Sequence, residues 1–153
     1  MDITIRQATL LDLEKLTEWR MEVLRTVFAI PRMEDINKLR SSNIAYYEEA
    51  LQAGSHIAVF AESAGSTVGC GGLCLYREMP SPDNPTGQCA YLMNIYTREL
   101  FRGNGVARAI VNYLVDYAKK LNIQKIYLEA SACGRPLYQG LGFEDMNGYM
   151  KLP

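Results

Sequence analysis

The chain has little with which to hold a metal or run histidine chemistry. Among 153 residues there is one histidine, His56, and the four cysteines, Cys70, Cys74, Cys89 and Cys133, contain no C-x-x-C pair. Structural zinc sites draw four ligands from clustered Cys and His, and disulfide frameworks belong mainly to small secreted domains. These cysteines therefore read as reduced, buried, small apolar residues, and no metal is expected. Charge of one sign is also lacking: sixteen Lys+Arg against seventeen Asp+Glu leave a net charge of −1. No whole-protein field favours nucleic acid or an acidic membrane, so neither is expected as a partner. No apolar run is long enough to span a bilayer, and Met1-Asp-Ile-Thr-Ile-Arg6 lacks the charged and apolar regions of a secretory leader. The protein is expected in the cytoplasm. Internal repeats and low-complexity segments are absent as well.

What is present is an ordinary balance of 48% hydrophobic and 22% charged residues, enough for a sizeable core. A single domain over residues 1–153 is expected. Residues 2–7 alternate as a strand, and Thr9-Leu-Leu-Asp12 is a capping-box-like helix start. Leu13, Leu16, Arg20, Val23, Leu24 and Val27 mark the inward stripe of that helix, which the break at Ile30-Pro31 ends. A second helix is expected from about Met33 to Ala53, kinked near Ser41-Ser42, with Gly54 as its stop. His56 to Glu62 and Thr67 to Tyr76 read as a hairpin, and the run Gly69 to Gly72 suggests a bulge or a close backbone approach. The prolines at 80, 82 and 85 make Glu78 to Gly87 a loop. A strand ending at Thr97, a helix from Gly105 to about Leu121 and a strand from Lys125 to Ala130 imply a right-handed crossover joining a parallel pair. Arg135 to Leu141 reads as a short helix with Pro136 in its first turn. Asn147-Gly148 signals a terminal hairpin between Phe143–Met146 and Tyr149–Leu152. The order βααββ–βαβαββ is mixed α/β.

The centre of the chain is Tyr91 to Thr97 followed by Arg98-Glu-Leu-Phe-Arg-Gly-Asn-Gly-Val-Ala107. Glycines let main-chain N–H groups approach an anion, and the first turn of a helix has N–H groups without internal partners. The stretch reads as a diphosphate cradle. A P-loop would need a lysine and a hydroxyl after the last glycine, where Val106-Ala107 stand, so that fold is excluded. A dinucleotide fingerprint would need a third glycine at Arg108 and a start directly on the strand; Glu129 could then serve as the ribose acid.

Arg102-x-x-Gly105-x-Ala107 instead resembles the [QR]-x-x-G-x-[GA] loop of the GNAT superfamily of acyl-CoA-dependent N-acyltransferases. Pro136-Leu-Tyr138 with Gly140-Leu-Gly-Phe143 is similar to the late L-Y-x-x-x-G-F element of that superfamily, and the element order agrees. The resemblance implies a mixed, mostly antiparallel sheet with a splayed parallel strand pair and about four flanking helices. It implies an acyl-CoA, most often acetyl-CoA, lying in the splay. The main chain of Ile95, Tyr96 and Thr97 would pair with the pantetheine arm. Arg102, Gly103, Asn104, Gly105, Val106 and Ala107 would bind the diphosphate. Ser131 stands where many members have an arm-contacting asparagine, Glu99 replaces a frequent proline, and Gly134 a frequent alanine.

An N-acyltransferase must present a neutral amine, stabilise an oxyanion and let a thiolate leave. A main-chain N–H near Ile95 or Tyr96 is the economical oxyanion donor. The resemblance singles out Tyr138 for the thiolate; since Tyr titrates near ~10 and a thiol near ~8.5, it is a hydrogen-bond donor unless its pKa is lowered. Glu129 is the candidate base, and Asn94 and Tyr96, on one strand face, could hold a water for the same task. Alternatively Glu129 pairs with Arg135. His56 is expected at a surface or edge, Trp19 as a packing anchor on the polar side of its helix, and Tyr46-Tyr47 with Phe28 to Arg32 along the acceptor wall. Glu22, Glu34, Asp35, Glu48 and Glu49 could attract a cationic acceptor. The expected partner is a small-molecule or peptide amine, with a homodimer as the first oligomer to look for. The competing reading is an inactive acyl-CoA-binding sensor.

Overall fold

The computed structural model describes all 153 residues. β1 (Thr4–Gln7) leads through a 3-10 turn at Leu10–Asp12 into α1 (Leu13–Val27), and α2 (Asn37–Ala53) follows. Then come β2 (His56–Ser63), β3 (Ser66–Arg77), β4 (Gln88–Thr97), α3 (Val106–Lys120), β5 (Lys125–Leu128) and α4 (Arg135–Gly140). The capping box forms as the spacing predicts: Thr9 Oγ1 accepts from Leu11 N, and Asp12 Oδ2 accepts from Thr9 N at 2.9 Å. It heads the 3-10 turn, and the helix proper begins one residue later. α2 starts at Asn37 rather than Met33. Residues 31–34 stay irregular because Arg25 reaches over to donate to the carbonyls of Pro31 and Glu34.

The five strands lie in sequence order, antiparallel except for β4 and β5. α3 covers one face, where Val106, Ile110, Val111, Leu114 and Ala118 pack on Val59, Leu73, Ala90 and Leu92. α1 and α2 cover the other, where Leu16, Trp19, Val23 and Tyr47 meet Ala58, Phe60 and Cys70. Trp19 is a packing anchor but faces inward, 6% exposed, edge-on to Phe60 and Tyr96 and under the Arg98 guanidinium at 4.2 Å. Its expected polar side is therefore corrected.

The glycine run in β3 does both things expected of it. A register shift occurs between Cys70 and Gly72, so Gly71 faces the bulged pair Asn94-Ile95 of β4, with Asn94 at φ 60°. A Cβ on Gly71 would lie 2.4 Å from Ile110 Cγ2, and one on Gly69 would lie 2.7 Å from the Tyr96 carbonyl. Two missing side chains thus let α3 sit directly on the sheet. The β4–β5 ladder ends at Leu92 and Leu128. Past that point the strands part, leaving the β5-facing main chain of Met93 to Thr97 without a strand partner.

The terminal hairpin does not form: residues 141–153 hold no strand, although Gly148 keeps its positive φ of 97°. The outer edge of β5 consequently has no partner strand. A wide opening of about 750 Å³ lies there, between α3, α4 and residues 141–147. No helix is long and apolar enough to cross a membrane.

Candidate functional site

The loop after β4 begins with a second 3-10 turn at Glu99–Phe101. Arg102 Nε donates to the Thr97 carbonyl at 3.1 Å, which ties the loop to the strand end. Asn104 Nδ2 donates to the carbonyls of Phe101 and Arg102. Gly103 (φ 77°) and Gly105 (φ 81°) take the left-handed conformation, and each has open space where a side chain would point. The amides from Gly103 to Arg108 make no hydrogen bond within the protein; the first helical bond of α3 is Ala109 N to the Gly105 carbonyl. Six consecutive unpartnered N–H groups at a helix start, carrying roughly half a positive charge, suit an anion such as a diphosphate.

The loop residues, Ile95, Ser131, Tyr138 and Glu129 were all singled out in the sequence. The splay brings four of them together. A cleft of about 200 Å³ is bounded by Leu92 to Ile95 of β4, Leu128 of β5 and Glu129 just past it, Ser131, Tyr138 of α4, Arg20, Val23, Leu24 and Val27 of α1, and Phe28 just past that helix. Tyr96 does not line it; its ring packs on Trp19 instead. Ser131 Oγ accepts from Gly134 N at 3.1 Å, so this hydroxyl braces the turn into α4. Gly134 suits that turn: a Cβ there would fall 3.0 Å from Tyr138 Cε2 and 3.2 Å from Ser131 Oγ.

The Tyr138 ring stands edge-on to Phe143 at 5.9 Å, and its hydroxyl has no partner in the protein. Burial raises its pKa, the wrong direction for an acid. Glu129 is exposed and makes no ion pair, because Arg135 pairs with Asp145. The Glu129 charge, second to burial, raises the Tyr91 hydroxyl.

A second cavity of about 260 Å³ adjoins the cleft, sharing Arg20, Met93 and Asn94 with it. Tyr46, Tyr47, Asn43, His56 and Cys74 complete its walls. Of the residues expected along an acceptor wall, Tyr46 and Tyr47 line this cavity. Phe28 lines the cleft, while residues 30–32 line neither space. The five acidic residues proposed to attract a cation line neither, and Glu22 is occupied by Arg98 at 3.0 Å. His56 is corrected from surface to interior: it is 4% exposed, its Nδ1 bonded to Tyr46 Oη at 2.7 Å. Its position was missed because its partners lie in α2 and at Cys74 of β3, and nothing adjacent in sequence signals them. Burial pushes the thiols of Cys70 (to about 12) and Cys74 upward, so both are resting thiols. No group of three or more His, Cys, Asp or Glu side chains is placed to hold a metal.

Burial, with a smaller push from Arg20, depresses His56 to about 4 from an ordinary 6.5. The unfolded chain therefore binds the proton more tightly than the folded one. Stability is full above pH 6.5 and falls as pH drops towards 4, by about 3 kcal/mol at most. Urea unfolding between pH 7 and 4 should show this slope, and His56→Gln should flatten it.

Comparison with known proteins bears on these features. A model of the acetyltransferase (GNAT) family matches residues 13–143. Comparison with curated proteins gives no significant match. A Clostridium acetobutylicum protein described as a predicted acetyltransferase, crystallised with acetyl-CoA, is 30% identical with a TM-score of 0.88, covering 99% of this chain and 96% of its own. A GCN5-related N-acetyltransferase from Ralstonia eutropha superposes with a TM-score of 0.80 at 22% identity over 99% of each chain. Glucosamine-6-phosphate N-acetyltransferase from Arabidopsis thaliana does so at 0.74 and 16%, over 100% of this chain and 99% of its own. The last two are similar in fold alone.

Proposed function

Because the chain belongs to the acetyltransferase (GNAT) family, we propose that residues 1–153 act as one N-acetyltransferase domain. It would transfer an acetyl group from acetyl-CoA to a primary amine by direct attack in a ternary complex. The observation that carries this reading is the run of six free amides from Gly103 to Arg108, set beside a cleft that opens where the β4–β5 ladder stops. Acetyl-CoA, when bound, supplies an activated acetyl thioester. The amides from Gly103 to Ala107, with Arg102 fixing the loop, would hold its diphosphate. The β5-facing main chain of Ile95 to Thr97, which has no strand partner, would take the arm, and an N–H at the bulge would meet the developing oxyanion. Ser131 would contact the arm through its O–H, which stays free to donate while its oxygen accepts from Gly134 N. Four cysteines free of disulfides suit a reducing cytoplasm, where we place the protein.

Tyr138 supplies a hydrogen-bond donor to the leaving thiolate, and Glu129 is the carboxylate at the cleft able to receive the amine proton, directly or through water. Its task depends on the acceptor: a lysine-like amine costs about 4.6 kcal/mol to deprotonate at pH 7, an α-amine only about 1. The second needs little from a base.

The test is thiol release from acetyl-CoA in the presence of amines, amino acids, polyamines and peptides. Turnover with at least one amine is expected; acetyl-CoA binding without release in any mixture would leave a sensor. Glu129→Gln should lower kcat/KM by about 5-fold at pH 7, the share an α-amine leaves to a base. The acid limb of its pH–rate profile should shift, and a limb that stays in place would put the base elsewhere.

A further inference from the structure

The cleft and the second cavity meet at a cation. Arg20 of α1 is half-buried; its Nε donates to Asn43 Oδ1 at 3.2 Å and its Nη1 to Asn94 Oδ1 at 2.9 Å. Both acceptors are neutral. The ion-paired cations of the fold are Arg6, Lys15, Arg98, Lys125 and Arg135, and Arg20 is not among them. Its Nη2 has no partner, and no carboxylate lines the second cavity. Two amide oxygens, one from α2 and one from the β4 bulge, thus fix a guanidinium in place without neutralising it. A half-buried charge of this kind gains most from an anion that arrives with the ligand, and the guanidinium fork suits a carboxylate. The only acidic side chain on the cleft is Glu129, from a different wall and itself unpaired. The cleft therefore carries one free charge of each sign.

We propose that the acceptor is a small free amino acid, its carboxylate bound by Arg20 and its α-amine directed to the Glu129 side of the cleft. The inference rests on the transfer reaction proposed above and names its substrate class. The side chain would enter the second cavity, between Tyr46, Tyr47, Cys74 and Met93. At about 260 Å³ this space is smaller than the roughly 300–1,000 Å³ of drug-sized ligand sites, so it takes one side chain rather than a saccharide or a peptide. Tyr46, Tyr47, Cys74 and Met93 make the half of its walls away from Arg20, Asn43, His56 and Asn94, and they favour apolar and aromatic side chains. An α-amine also needs little help from a base.

The experiment compares thiol release for leucine, methionine, phenylalanine and tyrosine with release for their methyl esters and for the decarboxylated amines. An aminoalkyl phosphonate and a C-terminally amidated dipeptide complete the set. Free amino acids should exceed their esters in kcat/KM by about 10- to 100-fold, the value of hydrogen bonds to a charged group. Arg20→Gln should bring the amino acids down to the level of the esters, mainly through KM, and Arg20→Lys should restore part of the preference. Acetyl-CoA affinity, read by calorimetry, reports whether each variant is folded. Esters, amines or the dipeptide turning over as well as the amino acids would overturn the proposal, as would a preference for the phosphonate. Equal losses for acids and esters in Arg20→Gln would make Arg20 structural and overturn it too. Absence of release with every amine would overturn the transferase reading itself, and this one with it.

Discussion

Gly71→Ala should destabilise the protein by about 3 kcal/mol, at the upper end of what an inserted methyl does in a packed core. For a chain of this length that lowers Tm by roughly 6–12 °C. The new Cβ would lie 2.4 Å from Ile110 Cγ2, 3.0 Å from Ile95 Cδ1 and 3.3 Å from Leu114 Cδ1. Ile110 and Leu114 are completely buried, so neither can swing into solvent. Relief requires lifting α3 off the sheet or spreading the bulge at Asn94-Ile95, and either movement displaces the amides of the loop relative to the cleft. Loss of acetyl-CoA affinity should therefore accompany the loss of stability. A double-mutant cycle with Ile110→Ala tests the cause. Removing Cγ2 should recover part of the Gly71→Ala effect, so the double variant is less destabilised than the sum of the singles. Strict additivity would mean that the contact is not responsible. Gly71→Val should not accumulate as folded protein.

Much of this architecture is legible in the chain because its signals are local. Thr9 and Asp12 are three residues apart and complete each other's hydrogen bonds. The β2–β3 hairpin is written in Ala64-Gly65, and the loop in Arg102 to Ala107 has its glycines where φ must be positive. Arg20 falls in the inward stripe of α1 by periodicity, yet its purpose depends on Asn94, 74 residues away. His56 is similar: its burial is decided by Tyr46 and Tyr47 packing from α2, rings 5.2 and 5.7 Å from its own. The Asn147-Gly148 signal fails for the converse reason. A turn residue fixes a local bend, but a two-stranded ribbon is marginal by itself, and exposed side chains such as Met150 and Leu152 give it no apolar face to bury. Glu129 is expected inside a strand reaching Ala130 but follows β5, which stops at Leu128 with its ladder, and its freedom from Arg135 follows from Asp145 taking that arginine.

Tyr138→Phe should lower kcat by about 10²-fold, the effect of removing one donor aimed at developing charge, and should leave the affinity for acetyl-CoA nearly as it was. The phenol hydroxyl has no partner in the protein, so its removal orphans nothing. The ring keeps its edge-on contact with Phe143 at 5.9 Å, so Tm should change little. The deficit is then chemical rather than structural. Moving the phenol proton to a thiolate is uphill by about 2 kcal/mol with ordinary pKa values, and burial of Tyr138 raises the phenol further, widening that gap. On the proposed mechanism the O–H therefore stays intact and would stabilise the thiolate by hydrogen bonding. Two consequences distinguish this from acid catalysis. The pH–rate profile of the native protein should have no basic limb below pH ~10 that Tyr138→Phe abolishes, since the raised phenol does not ionise there. Acetyl thioesters of more acidic thiols, whose leaving groups need less stabilisation, should also narrow the difference between the two proteins. Unchanged turnover in Tyr138→Phe would remove this hydroxyl from the reaction and reduce Tyr138 to a ring that packs α4 against Phe143.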